Sequence, residues 1–142
     1  SSEMIYGWSR GIIEGTNYAT GQHLQLRVRL PDIRGSAVIT QTPDGKLFVT
    51  GGTSQQDDST LGTVLLVDLR KDRAITFQPP MLTTRIGHGA AYYKGFLYVV
   101  GGFSISSILQ ECERLNLKQN TWEAMPPLPH ACFHVTLTSA EE

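Results

Sequence analysis

Several sequence features that would indicate a particular class of function are scarce or absent in this chain of 142 residues. Its two cysteines, Cys112 and Cys132, lack CxxC spacing, which argues against a structural zinc site. No apolar run approaches the roughly 20 residues that span a bilayer, and residues 1–10 contain no apolar segment typical of a signal peptide. Twelve basic and 13 acidic side chains leave a net charge of -1, so the positive surface of a nucleic-acid-binding protein is missing.

These absences lead to expectations about partners and location. We expect neither nucleic acid nor a membrane as a partner. We expect a cytoplasmic location in which both cysteines remain free thiols, with one disulfide in a secreted chain as the alternative. Hydrophobic residues make up 40% of the chain and charged residues 18%, so it has enough apolar side chains to bury a core.

An internal repeat organises the chain. The segment KLFVTGG matches FLYVVGG, so that Gly51 and Gly101 stand 50 residues apart. Arg34 precedes the first of these glycines by 17 residues, and Arg85 precedes the second by 16. Downstream, VDLRKDRA aligns with LNLKQNTW and PPM aligns with PPL. The shared order of these features predicts two copies of one structural unit.

Each copy has the pattern of four short strands separated by turns. In the first copy the predicted strands are 36–41, 47–50, 64–69 and 74–78. In the second copy they are HGAAYY, FLYVV, ECERLNL and TWEAM, with turns at Lys-Gly and KQN. The stretch SILQECERL is the only contender for a helix, and its place in the repeat predicts a loop followed by a strand instead. The chain is therefore predicted to be all-β.

A unit of about 50 residues with four strands is typical of a β-propeller blade, and here its motifs resemble the kelch family. The matching features are Arg85, the apolar strand that ends in Gly101-Gly102, Trp122 and the proline-rich exit at 125–128. The resemblance implies blades of four antiparallel strands. It predicts two complete kelch blades with partial flanking blades, in an incomplete ring.

The resemblance also implies a division of the chain into four parts. Residues 1–33 are predicted to be the diverged outer part of a preceding blade, or a linker. Residues 34–83 and 84–129 are predicted to be kelch repeats, and 130–142 the start of a further repeat. Because whole propellers typically have four to eight blades, we expect either a piece of a longer polypeptide or a chain completed by partner chains.

The chain departs from the family pattern at several positions. The family's tyrosine of the third strand is replaced by Leu115 in the second copy and by Val67 in the first. In the third unit, Ala131 stands at the arginine position, and His134 stands at the position of His88. The order of strands and glycine pairs does not depend on these residues.

The glycine pairs Gly51-Gly52 and Gly101-Gly102 pose a choice between a phosphate-binding loop and a structural turn. A phosphate-binding loop needs a helix directly after the glycines, and neither TSQQDDST nor FSISSI opens one. The pairs also recur at the same place in both copies, whereas a catalytic loop usually occurs once. We interpret both pairs as structural, together with Trp122.

The candidate partner-binding residues lie on or beside the loops after the glycine pairs, 53–63 and 103–110, because function on a repeat scaffold usually lies in such loops. The resemblance adds Arg34 and Arg85, since kelch proteins often hold partner peptides at this rim with arginines and serines. The favoured alternative is that each arginine ties adjacent blades together through backbone carbonyls. The candidates are Arg34, Ser36, Gln55, Gln56, Asp57, Asp58, Arg85, Phe103, Ser104, Ser106 and Ser107.

No catalytic, cofactor or metal site is predicted. His130 and His134 are four residues apart, which on a strand is about 13 Å, too far for one metal ion. Asp57 and Asp58 are adjacent residues of a polar loop and are interpreted as solvated. His88 is predicted to be a strand histidine with a hydrogen-bond partner.

The leading functional hypothesis is a non-enzymatic protein-interaction module, in an adaptor or a structural assembly, whose rim loops bind a partner protein. A propeller enzyme of the copper radical oxidase type is the first alternative. Against it, no histidine follows a tyrosine at a rim position, and Tyr92-Tyr93 lie in a predicted hairpin strand. A purely structural spacer is the second alternative.

Overall fold

A computed structural model describes residues 4–9, 12–17, 19–21, 23–68, 74–133, 135 and 137, with the backbone alone described at 4–9, 17 and 23–27. The described residues form 15 strands and no helix. The strands are β1 (Met4–Ser9), β2 (Ile12–Asn17), β3 (His23–Arg29), β4 (Ile33–Gly35), β5 (Val38–Gln41), β6 (Lys46–Thr50), β7 (Thr53–Ser54), β8 (Val64–Asp68), β9 (Ala74–Gln78), β10 (Gly89–Tyr93), β11 (Phe96–Val100), β12 (Phe103–Ser104), β13 (Ser107–Ile108), β14 (Cys112–Asn116) and β15 (Thr121–Met125).

Three antiparallel sheets follow one another along the chain. Sheet 1 has the order β1-β2-β3, sheet 2 the order β5-β6-β8-β9, and sheet 3 the order β10-β11-β14-β15. In every case a strand pairs with the next long strand of the sequence. The predicted all-β class and the four-stranded antiparallel units are confirmed. Within the described ranges, no helix is long and apolar enough to cross a membrane.

The predicted strands of both repeats are present, within two residues at each end. The tight turn at Lys94-Gly95 joins β10 to β11, with Tyr93 opposite Phe96. Both turn residues have positive φ, 46° and 86°, as a two-residue hairpin of type I′ requires. The alternation of apolar residues and the glycine punctuation were therefore sufficient to place these elements.

Residues 4–29 include the three strands of sheet 1. β2 and β3 pair antiparallel around a turn at 19–21, with an irregular register between Glu14 and Gly15. β1 pairs along its whole length with β2. Residues 1–3, 10, 11, 18 and 22 lie outside the described part. Whether this sheet is the remainder of a preceding blade stays a prediction, as does the division at 34, 84 and 130.

Two apolar clusters fill the spaces between the sheets. The cluster between sheets 1 and 2 contains Ile13, Val28, Leu30, Ile33, Leu47, Val49, Leu65 and Val67. The cluster between sheets 2 and 3 contains Phe48, Val64, Met81, Leu97, Val99 and Leu115. Successive residues of β6 thus face opposite clusters, since side chains alternate along a strand. Each such side chain contributes about 1.5–3 kcal/mol on burial, so stacking of neighbouring sheets is what holds the fold together.

The outer strand of sheet 3 is also tied to the chain that leaves sheet 2. Trp122 on β15 donates its indole N–H to the Pro79 carbonyl at 2.7 Å. The ring packs against the cluster between sheets 2 and 3. This position was predicted to be structural, and its one polar atom is satisfied as buried tryptophans usually require.

Candidate partner-binding rim

Both glycine pairs have backbone conformations that ordinary residues avoid. The φ angles are 66° and 108° at Gly51 and Gly52, and 61° and 100° at Gly101 and Gly102. A Cβ on Gly102 would lie 2.6 Å from the Ile86 carbonyl oxygen, closer than real contacts allow. The following residues form short strands and turns, so neither pair opens onto a helix N-terminus as a phosphate loop would.

The loop after each pair closes in the same way. Leu61 donates its amide to the Gly52 carbonyl at 2.8 Å, and Leu109 donates to the Gly102 carbonyl at 2.7 Å. Loops 53–63 and 103–110 therefore start and end on matching backbone positions. We call the edge of sheets 2 and 3 that carries these two loops the rim.

The second glycine of each pair forms a backbone hydrogen bond to a chain segment that follows the sheet. Gly52 donates to the Arg85 carbonyl at 3.2 Å, and Gly102 donates to the Cys132 carbonyl at 2.7 Å. By this geometry Cys132, and not Ala131, occupies the place of Arg85 in the third unit. The placement of Ala131 from the sequence was one residue too early, because no glycine pair follows it there to fix the register. His134 lies outside the described residues.

The first rim loop is polar and charged. Arg34 and Asp58 form an ion pair at 2.9 Å with both side chains largely exposed, so the pair contributes little to stability. Asp57 accepts the amide and hydroxyl protons of Ser59 at 3.1 and 2.7 Å. These hydrogen bonds hold the pKa of Asp57 below its ordinary value. At the base of the loop, Ser54 donates to Asp32 at 3.0 Å.

The second rim loop is a small hairpin of different chemistry. β12 and β13 pair through Phe103 and Ile108, and the chain turns at Ile105 and Ser106. Ile105 is 85% exposed and Ile108 is 51% exposed. The phenyl rings of Phe103 and Phe133 contact each other with centroids 5.6 Å apart. The two isoleucines were missing from the predicted site, although apolar residues at 103, 105 and 108 in an otherwise polar loop were the available signal.

Arg85 lies inside the fold and not on the rim. Its side chain is fully buried and donates to the Gly101 carbonyl at 2.8 Å, to the Glu111 carbonyl at 3.0 Å and to the Glu113 carboxylate at 2.8 Å. Further blades would only add burial, so the suggestion that Arg85 contacts a partner is corrected. The geometry agrees with bonds to backbone carbonyls, but the bonded residues Gly101 and Glu111 flank β11 and β14 of sheet 3, so the side chain does not tie adjacent blades together as expected. Ser104, 7% exposed, leaves the partner-binding set for the same reason.

Arg34 occupies the matching place in sheet 2 and behaves differently. A Cβ on Gly52 would meet Gly35 and Ala37, as one on Gly102 would meet Ile86 and His88, which aligns Arg34 with Arg85. What differs is the residue available for an ion pair. Leu65 in sheet 2 occupies the position that Glu113 occupies in sheet 3. Without a buried carboxylate, the guanidinium stays at the surface.

The remaining predicted residues divide by exposure. The exposed ones are Arg34, Ser36, Gln55, Gln56, Asp57, Asp58, Ser106 and Ser107. Phe103 is half-buried. Segment 84–86 is hydrogen-bonded to both loops, because the Arg85 amide donates to the Leu61 carbonyl and Ile86 pairs with Phe103. Their binding role remains a prediction.

His88 is buried between sheets 2 and 3, below the rim. Its Nε2 lies 2.8 Å from the Thr50 hydroxyl, and its Nδ1 has no hydrogen-bond partner. Burial, with the positive charge of Arg85 in second place, lowers the pKa of His88 from 6.5 to about 3. Within the described ranges, no three His, Cys, Asp or Glu side chains come together in a way that would hold a metal ion.

This pKa has a consequence for stability. The folded imidazole stays neutral while the unfolded one binds a proton below pH 6.5, so stability is complete above pH 6.5 and is lost as the pH falls toward 3. We expect His88→Gln to remove a slope of about 1.4 kcal/mol per pH unit between pH 6 and pH 4. Urea unfolding of the unsubstituted protein and of His88→Gln between pH 6 and pH 4 measures this slope. If the free energy of unfolding depends on pH equally in the two proteins, the lowered pKa of His88 is contradicted.

Comparisons with known proteins identify the fold and a kelch motif in one segment of the chain. The solved structure titled "Structure of YjhT" superimposes with a TM-score of 0.75 at 12% sequence identity, covering 90% of this chain and 42% of that chain. This likeness concerns the fold alone, and it agrees with the predicted partial propeller whose sheets are blades. Residues 84–129 match the family model for the kelch motif. This segment of the chain is therefore similar to a kelch motif.

Relatives with this motif are much longer. Kelch-like protein 25 of Xenopus tropicalis is 28% identical over 105 residues, which is 68% of this chain and 18% of that protein. The human protein Kelch repeat and BTB domain-containing protein 6 is 40% identical over 52 residues, 35% of this chain and 8% of that protein. The chain thus spans less than a fifth of the length of either relative.

Proposed function

We propose that the chain is a non-enzymatic protein-interaction module, part of a kelch-type β-propeller whose rim loops bind a partner protein. The observation that carries the proposal is the pair of rim loops, which share one set of backbone hydrogen bonds and differ completely in side-chain chemistry. The kelch motif and the kelch-like relatives support it. An adaptor role and a cytoplasmic location belong to the proposal.

The shared framework explains why the loops are free to vary. Glycine pairs, closing amides and the next segment are fixed by backbone atoms, and Ser54, Ser104 and Leu109 are buried at the bases of the loops, so only the exposed tip residues lie outside the packed core. Conserved support with variable loops is how repeat proteins present binding surfaces. Residues 55–59 and 105–108 are exposed at the tips, where a partner has access.

The open faces of the array support a second part of the proposal. Sheets 1 and 3 each have one face without a neighbouring sheet among the described residues. Since relatives are more than five times as long as the matched segment, we propose that further blades come from the same longer chain or from partner chains. The rim loops lie on sheets 2 and 3, each of which has all four of its strands.

Loop replacement in the full-length protein tests the function. Residues 55–59 and 105–108 would be exchanged for Gly-Ser segments of equal length, and we expect loss of at least 90% of the captured partner in quantitative co-purification. The control exchanges exposed residues of the turn at 42–45, on the opposite edge of sheet 2. Unchanged partner capture by the rim variant, with normal unfolding, would favour a structural spacer and refute the proposal.

A further inference from the structure

Ile105 at the tip of the β12–β13 hairpin is exposed and conformationally unfavourable. The side chain is 85% exposed, and its φ is 58°. A β-branched residue in the left-handed region is a true outlier, and a two-residue hairpin loop normally places glycine or asparagine there. Neither burial nor backbone preference therefore explains an isoleucine at this position, and such outliers point to a functional constraint.

Ile105 shares its loop with two further apolar residues, Phe103 and Ile108. We define the patch as Phe103, Ile105, Ile108 and Phe133. Phe103 and Ile108 pair across the hairpin, and Phe133 contacts Phe103 while remaining 38% exposed. Exposed apolar residues gathered at one place mark interaction surfaces.

Sheet 2 shows that a following blade does not cover this tip. The corresponding loop of sheet 2 is closed by the same hydrogen bonds, and sheet 3 already stacks on sheet 2. Even so, residues 55–59 at its tip all remain exposed. A third blade stacked on sheet 3 in the same manner would likewise leave Ile105 uncovered.

The charge beside the patch is acidic. Loop 53–63 carries Asp57 and Asp58 and no lysine or arginine, while loop 103–110 carries no charged residue. Arg34 is the cation that the structure pairs with this loop, through Asp58. The hydrogen bonds from Ser59 hold the pKa of Asp57 below its ordinary value, which favours its charged form. The rim therefore carries one acidic loop and one apolar loop, and segment 84–86 is hydrogen-bonded to both.

We propose that the rim binds a peptide segment of a partner protein in which an exposed aliphatic or aromatic side chain stands beside lysine or arginine. The apolar side chain packs on the patch, and the basic residue faces Asp57 and Asp58. This inference rests on the proposed function and adds the chemistry of the partner. Charge complementarity is the reason to choose a basic over an acidic flank.

Peptide binding by the full-length protein tests the inference. The probes are pools of 12-residue peptides with a randomised background and a fixed centre of leucine or serine, flanked by two lysines or two glutamates. We expect the leucine–lysine pool to bind at least tenfold more tightly than the other three pools, measured by fluorescence anisotropy. Equal binding of the serine–lysine pool would overturn the role of the patch.

Substitutions assign the binding to named residues. We expect Ile105→Asn to weaken binding of the leucine–lysine pool at least tenfold without loss of stability, because asparagine accepts this backbone conformation. Ile105→Leu retains binding, and Leu82→Asn, which changes another exposed apolar residue outside the rim, has no effect. Asp57→Asn with Asp58→Asn weakens binding three- to tenfold and removes its salt dependence.

Failure of this inference is distinguishable from failure of the proposed function. If loop replacement abolishes partner capture while Ile105→Asn binds normally, the peptide chemistry is wrong and the interaction function stands. If neither change has an effect, both are wrong. A concentration-dependent dimer of the full-length protein that Ile105→Asn dissociates would make a second copy the occupant and overturn the inference.

Discussion

Glu113→Ala is expected to lower the free energy of unfolding by about 3–5 kcal/mol, the usual effect of breaking a buried ion pair from one side. The Glu113 carboxylate is 2% exposed and accepts Arg85 at 2.8 Å, the Leu82 amide at 2.6 Å and the Thr83 amide at 3.1 Å. Its removal leaves a buried guanidinium and two backbone donors without their acceptor. Urea unfolding of the full-length protein, followed by tryptophan fluorescence, measures the loss.

A double substitution separates the ion pair from packing. Arg85→Met with Glu113→Leu removes both charges and places leucine where sheet 2 has Leu65, which is itself fully buried. We expect the double variant to be more stable than Glu113→Ala alone, because no unpaired charge remains. In the cycle formed by Arg85→Met, Glu113→Leu and the double variant, the coupling is expected to exceed about 1 kcal/mol. Additive losses would show that Arg85 and Glu113 do not stabilise each other.

The sequence was sufficient for the strands because their signals are local. Five apolar residues from Phe96 to Val100 followed by two glycines specify a buried strand and its end without knowledge of distant residues. The repeat then supplied the order of strands, since the second copy confirmed each boundary of the first. The short strands β4, β7, β12 and β13 were not predicted, because two or three residues are too few to show a period.

The candidate site was harder to predict from the sequence, because its geometry depends on contacts between residues that are far apart in the chain. Arg34 and Arg85 have the same place in the repeat, and only Glu113, 28 residues after Arg85, decides which one is buried. Exposure of Ile105 follows from a turn geometry that its sequence, Ser-Ile-Ser, does not favour. A pattern of residue types gives the position of a loop in a repeat, whereas burial and φ have to be observed.

The ion pair and the rim loops serve different purposes at neighbouring positions. Arg85 lies directly beneath the rim and joins β11 to β14 through the Gly101 and Glu111 carbonyls. Fixing the base of the hairpin in this way restricts where Ile105 points, which reduces the ordering cost of binding a partner. A rigid support with an exposed tip is the arrangement that a peptide-binding surface needs.

Gly51→Ala is the second change with a large expected effect, a loss of about 2–5 kcal/mol. Its φ is 66°, and an added Cβ would overlap the Arg85 carbonyl oxygen and lie 2.8 Å from the His88 ring. Left-handed backbone costs an ordinary residue about 1–2 kcal/mol, and overpacking adds about 1–3 kcal/mol. The displaced carbonyl is the acceptor for Gly52, so the stacking of sheet 3 on sheet 2 is weakened directly.

Substitutions at two further glycines allow the losses of unfolding free energy to be ranked. Gly95→Ala has a φ of 86° but open space around the new Cβ, so it isolates the backbone cost of about 1–2 kcal/mol. Gly101→Ala would place its Cβ 2.9 Å from the Cys132 carbonyl oxygen, a less severe overlap. We expect losses in the order Gly51, Gly101, Gly95 in urea unfolding. Equal losses at Gly51 and Gly95 would mean that close approach of the next segment does not explain the glycine pair.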